Sequence, residues 1–350
     1  MNNRMNMITK ILQSTNPYVI AEIGINHNGD LNLAKEMINA AKESGADCVK
    51  LQSFSVDKYI SPIAGKADYQ KQDQFSDKSQ KDIIKSCEIT LKQTLDLFDY
   101  SKKEKIDFLS TPFEVWSLRD LISLDMSAIK VSSCNLTNIP FLEELADSKL
   151  PVLLSSGMAS FNEVIEAVEI FQRSKSPLLL FQCTSNYPSK PENANLRVLN
   201  TYQRVFDVPV GLSDHTLTNT TSIAAIALGA VAIEKHFTLS RKLPGIDQRA
   251  SLEPAELEAL IFDLRECKLA LGSSLKFQTK EEENTSKALR RSLIASRDIE
   301  QGEKLDESLV QVMRPGSGLS PSFLPLLVGK KLSRPIREGT PLSLDDFLSV

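Results

Sequence analysis

Two short stretches of the chain, VGLSDHT (Val210–Thr216) and VAIEKHFT (Val231–Thr238), follow the same plan: an apolar run comes first and a histidine stands near its end. The chain has 350 residues and only 3 histidines, so these two stretches hold two of the three. A short apolar run that ends in polar residues is typical of a buried β-strand. The sequence therefore predicts that two scarce histidines close two consecutive strands.

Six further runs of the same β-rich kind precede this pair. They are YVIAEIG (Tyr18–Gly24), CVKLQSF (Cys48–Phe54), DFLSTPF (Asp107–Phe113), AIKVSS (Ala128–Ser133), PVLLSSG (Pro151–Gly157) and PLLLFQC (Pro177–Cys183). Amphipathic stretches lie between the runs; in residues 32–44, for example, Leu33, Met37 and Ala41 recur at helical spacing. Strands that are apolar on both faces and joined by helices indicate a parallel α/β sheet.

Eight such units within about 250 residues favour one α/β architecture, the closed (β/α)8 TIM barrel. A doubly wound open sheet is the structural alternative. That fold would need a glycine-rich phosphate loop after the first strand, and GINHNGD (Gly24–Asp30) has the wrong glycine spacing for one. We therefore expect a TIM barrel over residues 1–271.

The remainder of the chain has a different pattern. Residues 272–287 are charged and weakly apolar, which indicates a linker. Residues 288–350 contain short apolar segments broken by turn residues, a pattern typical of a small β-rich domain. Inside the barrel sequence, Ser55–Thr90 is a polar connection far longer than a usual βα loop, and such long loops at a barrel mouth tend to cover substrates.

Composition narrows the classes of function. With 41% hydrophobic and 25% charged residues, and no apolar run of bilayer length, the chain is expected to be a soluble globular protein rather than a membrane protein. The net charge is -4 and the basic residues are scattered, so the sequence lacks the clustered basic patch that is typical of a nucleic-acid binder. The N-terminus has no signal-peptide pattern and the five cysteines form no C-x-x-C pair, so we expect a cytoplasmic protein with reduced thiols.

In a TIM barrel, active-site residues lie at the C-terminal ends of the strands. Two lysines and several hydroxyl groups occupy these positions here, which describes an anion site because ammonium groups neutralise a phosphate or carboxylate and hydroxyl groups donate hydrogen bonds. The polar residues predicted to converge at this end are Glu22, Asn26, His27, Lys50, Gln52, Thr111, Lys130, Ser132, Ser133, Ser155, Ser156, Thr184, Ser185, Tyr187, Ser213, His215, Glu234 and His236.

His215 and His236 close neighbouring strands, so one strand spacing of roughly 4.8 Å separates them and they can share a divalent metal ion. The alternative is a pair of hydrogen-bonded core histidines. Without a cysteine ligand, two histidines leave positions for water and substrate oxygens, which is typical of a catalytic ion. Glu22, a carboxylate near the end of an apolar strand, is a candidate acid, base or substrate-orienting group. His27 is interpreted as a turn residue before the first barrel helix.

Several long motifs of the chain are similar to motifs of a known protein family. Together they closely resemble the sialic acid synthases, the phosphoenolpyruvate-dependent nonulosonate synthase family, and VMRPGSGLSP (Val312–Pro321) resembles the antifreeze-like (SAF) domain of that family. The resemblance covers nearly the whole chain. Its motifs are the segment Ala21–Phe54, KVSS (Lys130–Ser133), LLSSGM (Leu153–Met158), CTSNYPSKPENANL (Cys183–Leu196), VGLSDHT, AIEKHFTL (Ala232–Leu239) and PGIDQRASLEP (Pro244–Pro254).

The resemblance implies a condensation reaction. C3 of phosphoenolpyruvate attacks the aldehyde carbon of an open-chain N-acetylhexosamine, typically N-acetylmannosamine; water then adds at C2, phosphate leaves, and a sialic acid results. The resemblance also implies a divalent ion, Mn²⁺ with Mg²⁺ or Co²⁺ as alternatives. It further implies a homodimer in which each SAF domain caps the barrel of the partner subunit.

The same resemblance implies roles for particular residues. His215 and His236 would bind the ion, which acts as a Lewis acid on the aldehyde oxygen, and Glu22 would orient the sugar or the water and transfer a proton. The residues implied to hold phosphoenolpyruvate are Lys50, Lys130, Ser155, Ser185 and Ser213, and those implied to contact the sugar are Gln52, Asn135, Tyr187, Asp247 and, from the partner subunit, Arg314.

Two departures from the family pattern lie on the sugar side. Asn135 stands where relatives often have a sugar-binding acid, and Gln248 and Arg249 stand where many have histidine and lysine. The other acceptors that relatives use, the diacetamido-trideoxyhexoses that give legionaminic or pseudaminic acids, therefore stay open. So do a zinc- or iron-dependent aldolase or isomerase on the same barrel, and a non-catalytic sugar-binding protein.

Overall fold

The computed structural model describes residues 6–67, 70–71, 77–124 and 126–347. The chain divides into two compact units, Met1–Gly272 and Ser273–Val350. Each unit has its own apolar core. The two are therefore described separately.

The first unit is built on eight parallel strands. The strands are β1 (Tyr18–Gly24), β2 (Cys48–Ser53), β3 (Asp107–Pro112), β4 (Ile129–Val131), β5 (Val152–Ser155), β6 (Leu178–Cys183), β7 (Val210–Asp214) and β8 (Ala232–His236). They pair in the order β3-β2-β1-β8-β7-β6-β5-β4, and the terminal strands β3 and β4 also contact each other. The sheet thus forms a nearly closed barrel, as the sequence predicts, and the open-sheet alternative is wrong.

Most helices of this unit follow a strand and cover the outside of the barrel, whereas the first helix precedes β1. They are α1 (Met7–Gln13), α2 (Leu31–Glu43), α3 (Val56–Tyr59), α4 (Gln80–Lys85), α5 (Leu91–Glu104), α6 (Val115–Ser123), α7 (Ile139–Asp147), α8 (Phe161–Ser174), α9 (Val198–Phe206), α10 (Thr220–Ala227) and α11 (Pro254–Leu271). Asp30 caps α2, because its carboxylate accepts hydrogen bonds from the backbone of Asn32 and Leu33. No helix among the described residues is long and apolar enough to cross a membrane.

The barrel strands have two faces with different partners. On β1, Val19, Ala21 and Ile23 point outward into the large core beneath the helices, whereas Ile20 points into the barrel. This alternation follows from the period of two in a β-strand. It also sends Glu22 inward, at the C-terminal end of the strand.

The interior near the N-terminal ends of the strands is filled by apolar side chains. Ile8 and Ile11 of α1 pack there against residues that begin their strands, such as Tyr18 and Ala232. The short helix α1 therefore closes the N-terminal end of the barrel and leaves the C-terminal end for chemistry.

The second unit has an antiparallel pair, β9 (Ser292–Ala295) with β10 (Val310–Met313), and several isolated β-bridges. Its helices are α12 (Glu282–Leu289) and α13 (Leu324–Leu327). Its core is formed by residues such as Leu293, Ile299 and Leu332. Most of α12 lies in the segment 272–287 that the sequence analysis interprets as a linker.

Candidate active site

A cavity of about 500 Å³ opens at the C-terminal ends of the barrel strands. Strand ends supply its floor, and the long connection after β2 supplies part of its wall through Tyr59, Ile60 and Ile84. Residues 68–69 and 72–76 of that connection lie outside the described residues. The polar residues of the floor are Glu22, Lys50, Gln52, Thr111, Lys130, Ser132, Ser133, Ser155, Ser185, Ser213, His215, Glu234, His236 and Asp247.

One ammonium group of the floor belongs to Lys50. Its Nζ lies 2.7 Å from Oε2 of Glu22 and donates to Thr111 Oγ1 at 3.1 Å, while Gln52 Nε2 donates to Glu22 Oε1 at 3.1 Å. Glu22 and Lys50 are neighbours because β1 and β2 pair them directly. Burial, with a contribution from Glu234, raises the pKa of Glu22 although Lys50 opposes this shift. Burial alone would lower the pKa of Lys50, but Glu22 and Glu234 outweigh it and raise that pKa.

The second ammonium group belongs to Lys130, which is almost fully buried. Lys130 Nζ donates to Ser155 Oγ, and the hydroxyl oxygens of Ser155 and Ser213 lie 3.1 Å apart. Burial lowers the pKa of Lys130, and the nearby carboxylate of Glu234 opposes that shift. Lys130 and the two serines thus form a hydrogen-bonded row along one side of the floor.

Glu234 links the two lysines. The sequence predicts its position at the C-terminal end of the barrel but not its function. Its carboxylate oxygens lie 3.8 Å from Lys50 Nζ and 3.7 Å from Lys130 Nζ, and Ser213 Oγ donates to it at 3.0 Å. Burial alone would raise the pKa of Glu234, but the two lysines outweigh it and hold that pKa below its ordinary value. A carboxylate inside an apolar strand is the same signal that identified Glu22.

The two histidines of the opening motifs meet in the cavity. Their ring centroids are 5.4 Å apart, and the Tyr187 ring lies 4.2 Å from that of His215 and 5.6 Å from that of His236. His215 Nδ1 donates to the carbonyl oxygen of Thr184 at 2.8 Å. Burial alone would lower the pKa of His215, but Cys183 and this carbonyl oxygen outweigh it and raise that pKa. Burial, together with His215 and the lysines, holds the pKa of His236 well below its ordinary value, so its imidazole is neutral.

This pair fits a divalent metal ion. His236 Nδ1 is buried and has no hydrogen-bond partner among the described residues; Asp247 Oδ2 is 4.0 Å away. Burial and Glu22 raise the pKa of Asp247 to about 7, and a bound cation would return it to the charged form. Within the described ranges, no group of three or more His, Cys, Asp or Glu side chains is arranged to hold an ion.

A small cradle lies beside the lysine row. Gly157 N donates to Ser133 Oγ at 2.9 Å, and a Cβ at position 157 would lie 2.3 Å from Ser185 Oγ. A side chain at position 157 would therefore displace the surrounding hydroxyl groups. The result is a concave cluster of hydroxyl groups and a backbone amide next to Lys130, which suits a phosphate or carboxylate group.

The structure does not bring every predicted residue to the cavity. Asn135 is buried beneath the wall, where its amide donates to the carbonyl oxygen of Phe113 at 3.2 Å and its Oδ1 accepts from Asn138. Its amide is therefore used by the protein itself, which differs from the sugar contact that the resemblance implies. Arg314 belongs to the second unit, so its implied contact with a sugar stays a prediction.

Gln248, the other departure, also has a structural role. Its side chain is 0% exposed, accepts from Thr238 Oγ1 and donates to the carbonyl oxygen of Asn26 at 3.0 Å. It thereby ties the loop that carries Asp247 to the loop after β1. Arg249 beside it is exposed.

The outer wall of the cavity is aromatic and aliphatic. Phe54, Tyr59 and Phe113 form a cluster with ring centroids 4.9 to 6.2 Å apart. Ile60 and Ile246 also line this wall. The cavity therefore has a charged floor and an apolar rim.

Comparison with known proteins adds two family matches. The NeuB family model matches residues 37–276, and the SAF domain model matches residues 290–348. The chain is 38% identical to N,N'-diacetyllegionaminic acid synthase of Legionella pneumophila over 97% of both chains. It is 39% identical to the N,N'-diacetyllegionaminic acid synthase of Campylobacter jejuni over 91% of this chain and 97% of the other.

A solved structure is similar as well. The N-acetylneuraminic acid (sialic acid) synthetase of Leptospira borgpetersenii, crystallised with citrate, is 36% identical and superposes with a TM-score of 0.70. The match covers 78% of this chain and 91% of that one.

Proposed function

The chain belongs to the NeuB family, and from this membership we propose that it is an enzyme that condenses phosphoenolpyruvate with a 2,4-diacetamido-2,4,6-trideoxyhexose and water. The products are a nonulosonic acid of the legionaminic type and inorganic phosphate. The observation that carries the proposal is the shared cavity, in which two buried lysines lie beside two histidines at one end of the barrel.

The reaction forms one carbon–carbon bond. C3 of phosphoenolpyruvate supplies the electron pair to the aldehyde carbon of the open-chain sugar, and the aldehyde oxygen becomes a hydroxyl group by taking a proton. Water adds to C2, loses a proton, and phosphate leaves as the C2 carbonyl forms. Every atom of the two substrates and the water is found in the two products.

Phosphoenolpyruvate would be held by the lysine side of the floor. Lys50 and Lys130 neutralise its phosphate and carboxylate groups, and Ser155, Ser185 and Ser213 donate hydrogen bonds. Glu234 lies between the lysines and holds both ammonium groups in place before the anion arrives. The hydroxyl cradle around Gly157 fits one of the anionic groups.

The sugar aldehyde would be placed on the histidine side. A divalent ion such as Mn²⁺ held by His215 and His236 supplies Lewis-acid polarisation of the aldehyde oxygen. Mg²⁺ and Co²⁺ suit the same open site. Glu22, whose pKa is raised by burial, is placed to deliver or accept a proton beside the reacting carbons.

The acceptor class is supported by the apolar rim. A 6-deoxy sugar presents a methyl group and two acetamido methyl groups, which match the wall of Phe54, Tyr59 and Phe113 better than a hydroxymethyl or phosphorylated C6 does. Among the described residues that line the cavity, Lys50 and Lys130 are the only Lys or Arg side chains. Gln52, Tyr187 and Asp247 would bind the sugar hydroxyl and amide groups, and Arg314 of a partner subunit would complete the site in a homodimer.

The test is release of inorganic phosphate from phosphoenolpyruvate with a panel of acceptors. The panel contains the 2,4-diacetamido-trideoxyhexoses of the manno and altro series, N-acetylmannosamine and its 6-phosphate. We expect the highest kcat/KM with a diacetamido sugar, loss of turnover with a chelator, and recovery with Mn²⁺. The matched inactive control is His236→Ala.

Each other outcome has a definite meaning. A preference for N-acetylmannosamine would move the acceptor to the neuraminic acid type, for which the Leptospira relative is named. Sugar binding without phosphate release from any acceptor would instead identify a non-catalytic sugar-binding protein. Turnover that survives both the chelator and His236→Ala would contradict the role of the two histidines.

A further inference from the structure

A buried ion pair lies on the outer face of the barrel, one residue before each histidine. Lys235 Nζ is 3.0 Å from Asp214 Oδ2, and the exposed fractions of the two side chains are 2% and 1%. β7 and β8 pair Asp214 directly with Lys235. Because side chains alternate along a strand, the residues that follow them, His215 and His236, point to the opposite side, into the cavity.

The pair is part of a hydrogen-bond network that encloses the turn after β7. The Asp214 carboxylate accepts from the backbone of Thr216 at 2.8 Å and from Ser222 Oγ at 2.6 Å. Lys235 Nζ donates to the carbonyl oxygen of Thr216 and, at 3.4 Å, to that of Thr218. All of the donors of Lys235 and both oxygens of Asp214 are therefore engaged.

The position of this pair is unusual for the outer face. The other outward residues of the two strands, Val210 and Leu212 on β7 and Ile233 on β8, are apolar and pack beneath the helices. A buried ion pair pays a large desolvation penalty, and apolar residues of similar volume often stabilise a protein as well or better. Packing alone therefore does not explain why the two outward charges stand directly before the two histidines.

We propose that Asp214 and Lys235 are positioning residues that set the separation and direction of His215 and His236 for metal binding. The inference rests on the metal site of the proposed function. The ion pair fixes the register of β7 against β8, and its bonds to Thr216 hold the backbone on the far side of His215. Second-shell contacts of this kind tune metal affinity by orienting the ligands.

The experiment measures Mn²⁺ affinity of the metal-free full-length protein by electron paramagnetic resonance. Lys235→Met and Asp214→Asn are expected to weaken Mn²⁺ binding by about 10- to 100-fold. Phosphoenolpyruvate affinity, measured by calorimetry with a chelator present, is expected to stay near that of the unmodified protein because Lys50 and Lys130 are untouched. The control is Glu144→Gln, which breaks the exposed ion pair with Arg119 and leaves both affinities unchanged.

A double variant separates positioning from folding. Asp214→Leu combined with Lys235→Met fills the same space with apolar groups, so it can fold even if the single variants do not. It is also expected to bind Mn²⁺ weakly. Unchanged Mn²⁺ affinity in any folded variant, or an equal loss of Mn²⁺ and phosphoenolpyruvate affinity, overturns the positioning role. Absence of Mn²⁺ binding by the unmodified protein would instead remove the metal site of the proposed function, and this inference with it.

Discussion

Glu234 shows how single residues set the chemistry of this cavity. Two lysines and two glutamates are buried within a few ångströms of one another, so each charge depends on its neighbours for its stability. The ammonium group of Lys50 lies 2.7 Å from the carboxylate of Glu22. The ammonium group of Lys130 lies farther from its carboxylate partner, at 3.7 Å from Glu234, and burial lowers its pKa. Lys130 is therefore the lysine whose charge is most sensitive to Glu234.

Replacement of Glu234 by glutamine is expected to change the pH dependence of catalysis. Glu234 raises the pKa of Lys130, so removal of its charge lowers that pKa further, and the ammonium form needed for phosphoenolpyruvate is lost at a lower pH. The alkaline limb of the kcat/KM profile for phosphoenolpyruvate should therefore move to lower pH in Glu234→Gln. Ser213→Ala, which removes a hydrogen bond to the same carboxylate but no charge, should shift it much less. An unmoved limb in Glu234→Gln would exclude this electrostatic role.

Most single residues of the site could be predicted because they occupy the ends of recognisable strands. Lys50 and Lys130 stand inside otherwise apolar strands, whereas His215 and His236 stand at strand ends. The barrel gathers these positions at one mouth. The role of Glu234 could not be predicted, since its contact with both lysines depends on side-chain directions across the barrel interior. The burial of Asn135 depends on a single turn after β4, which leaves no periodic signal.

Among the elements, α1 was absent from the sequence prediction. It has only seven residues, too few to give a clear helical period, and its stability comes from packing rather than from propensity. Its buried side chains fill the N-terminal end of the barrel, opposite the cavity. The eight strands, by contrast, were located within one or two residues because each is a compact apolar run between turn residues.

Substitutions at two adjacent residues of α1 test whether this helix closes the N-terminal end of the barrel. Ile11 is 2% exposed and Leu12 is 53% exposed. Ile11→Ala is expected to lower the free energy of unfolding by about 2–4 kcal/mol, through lost burial and the cavity left behind. Leu12→Ala is expected to change it by less than about 0.5 kcal/mol. Denaturant unfolding measures both, and equal effects would mean that α1 does not pack as described.

The loop after β8 offers a similar matched pair. Gln248→Ala breaks the ties to Thr238 and Asn26, so the segment that carries Asp247 is expected to lose its fixed position. We expect the KM for the sugar to rise by about tenfold or more, because the variant loses binding energy for the sugar in both the ground state and the transition state. The KM for phosphoenolpyruvate should stay within about twofold. Arg249→Ala, at an exposed neighbour, should behave like the unmodified enzyme. A parallel rise of both KM values in Gln248→Ala would point to general unfolding of the mouth.

At the scale of the whole molecule, the chain joins a catalytic barrel to a separate SAF unit. The described barrel supplies two lysines, two histidines and several hydroxyl groups, which are the groups that the proposed binding of phosphoenolpyruvate and a cation requires. Binding of the sugar requires further polar groups, of which the cavity offers Gln52, Tyr187 and Asp247. The proposed homodimer assigns that task partly to Arg314 in the SAF unit of the partner.

Replacement of Arg314 therefore tests the dimeric site. Arg314→Ala is expected to raise the KM of the acceptor far more than that of phosphoenolpyruvate, since its proposed contact is with the acetamido group. Steady-state kinetics with each substrate varied in turn give both values. Equal effects on the two substrates, or none, would contradict capping of the barrel by the SAF unit.

The central claim is that a divalent cation and phosphoenolpyruvate bind next to each other in one cavity. The most direct measurement is the phosphorus-31 relaxation of phosphoenolpyruvate in the presence of the Mn²⁺-loaded protein. We predict strong paramagnetic relaxation that disappears with Mg²⁺ in place of Mn²⁺, in His236→Ala through loss of the ion, and in Lys130→Met through loss of the anion. Binding of both Mn²⁺ and phosphoenolpyruvate to the protein without any enhanced relaxation would place them apart and contradict the account.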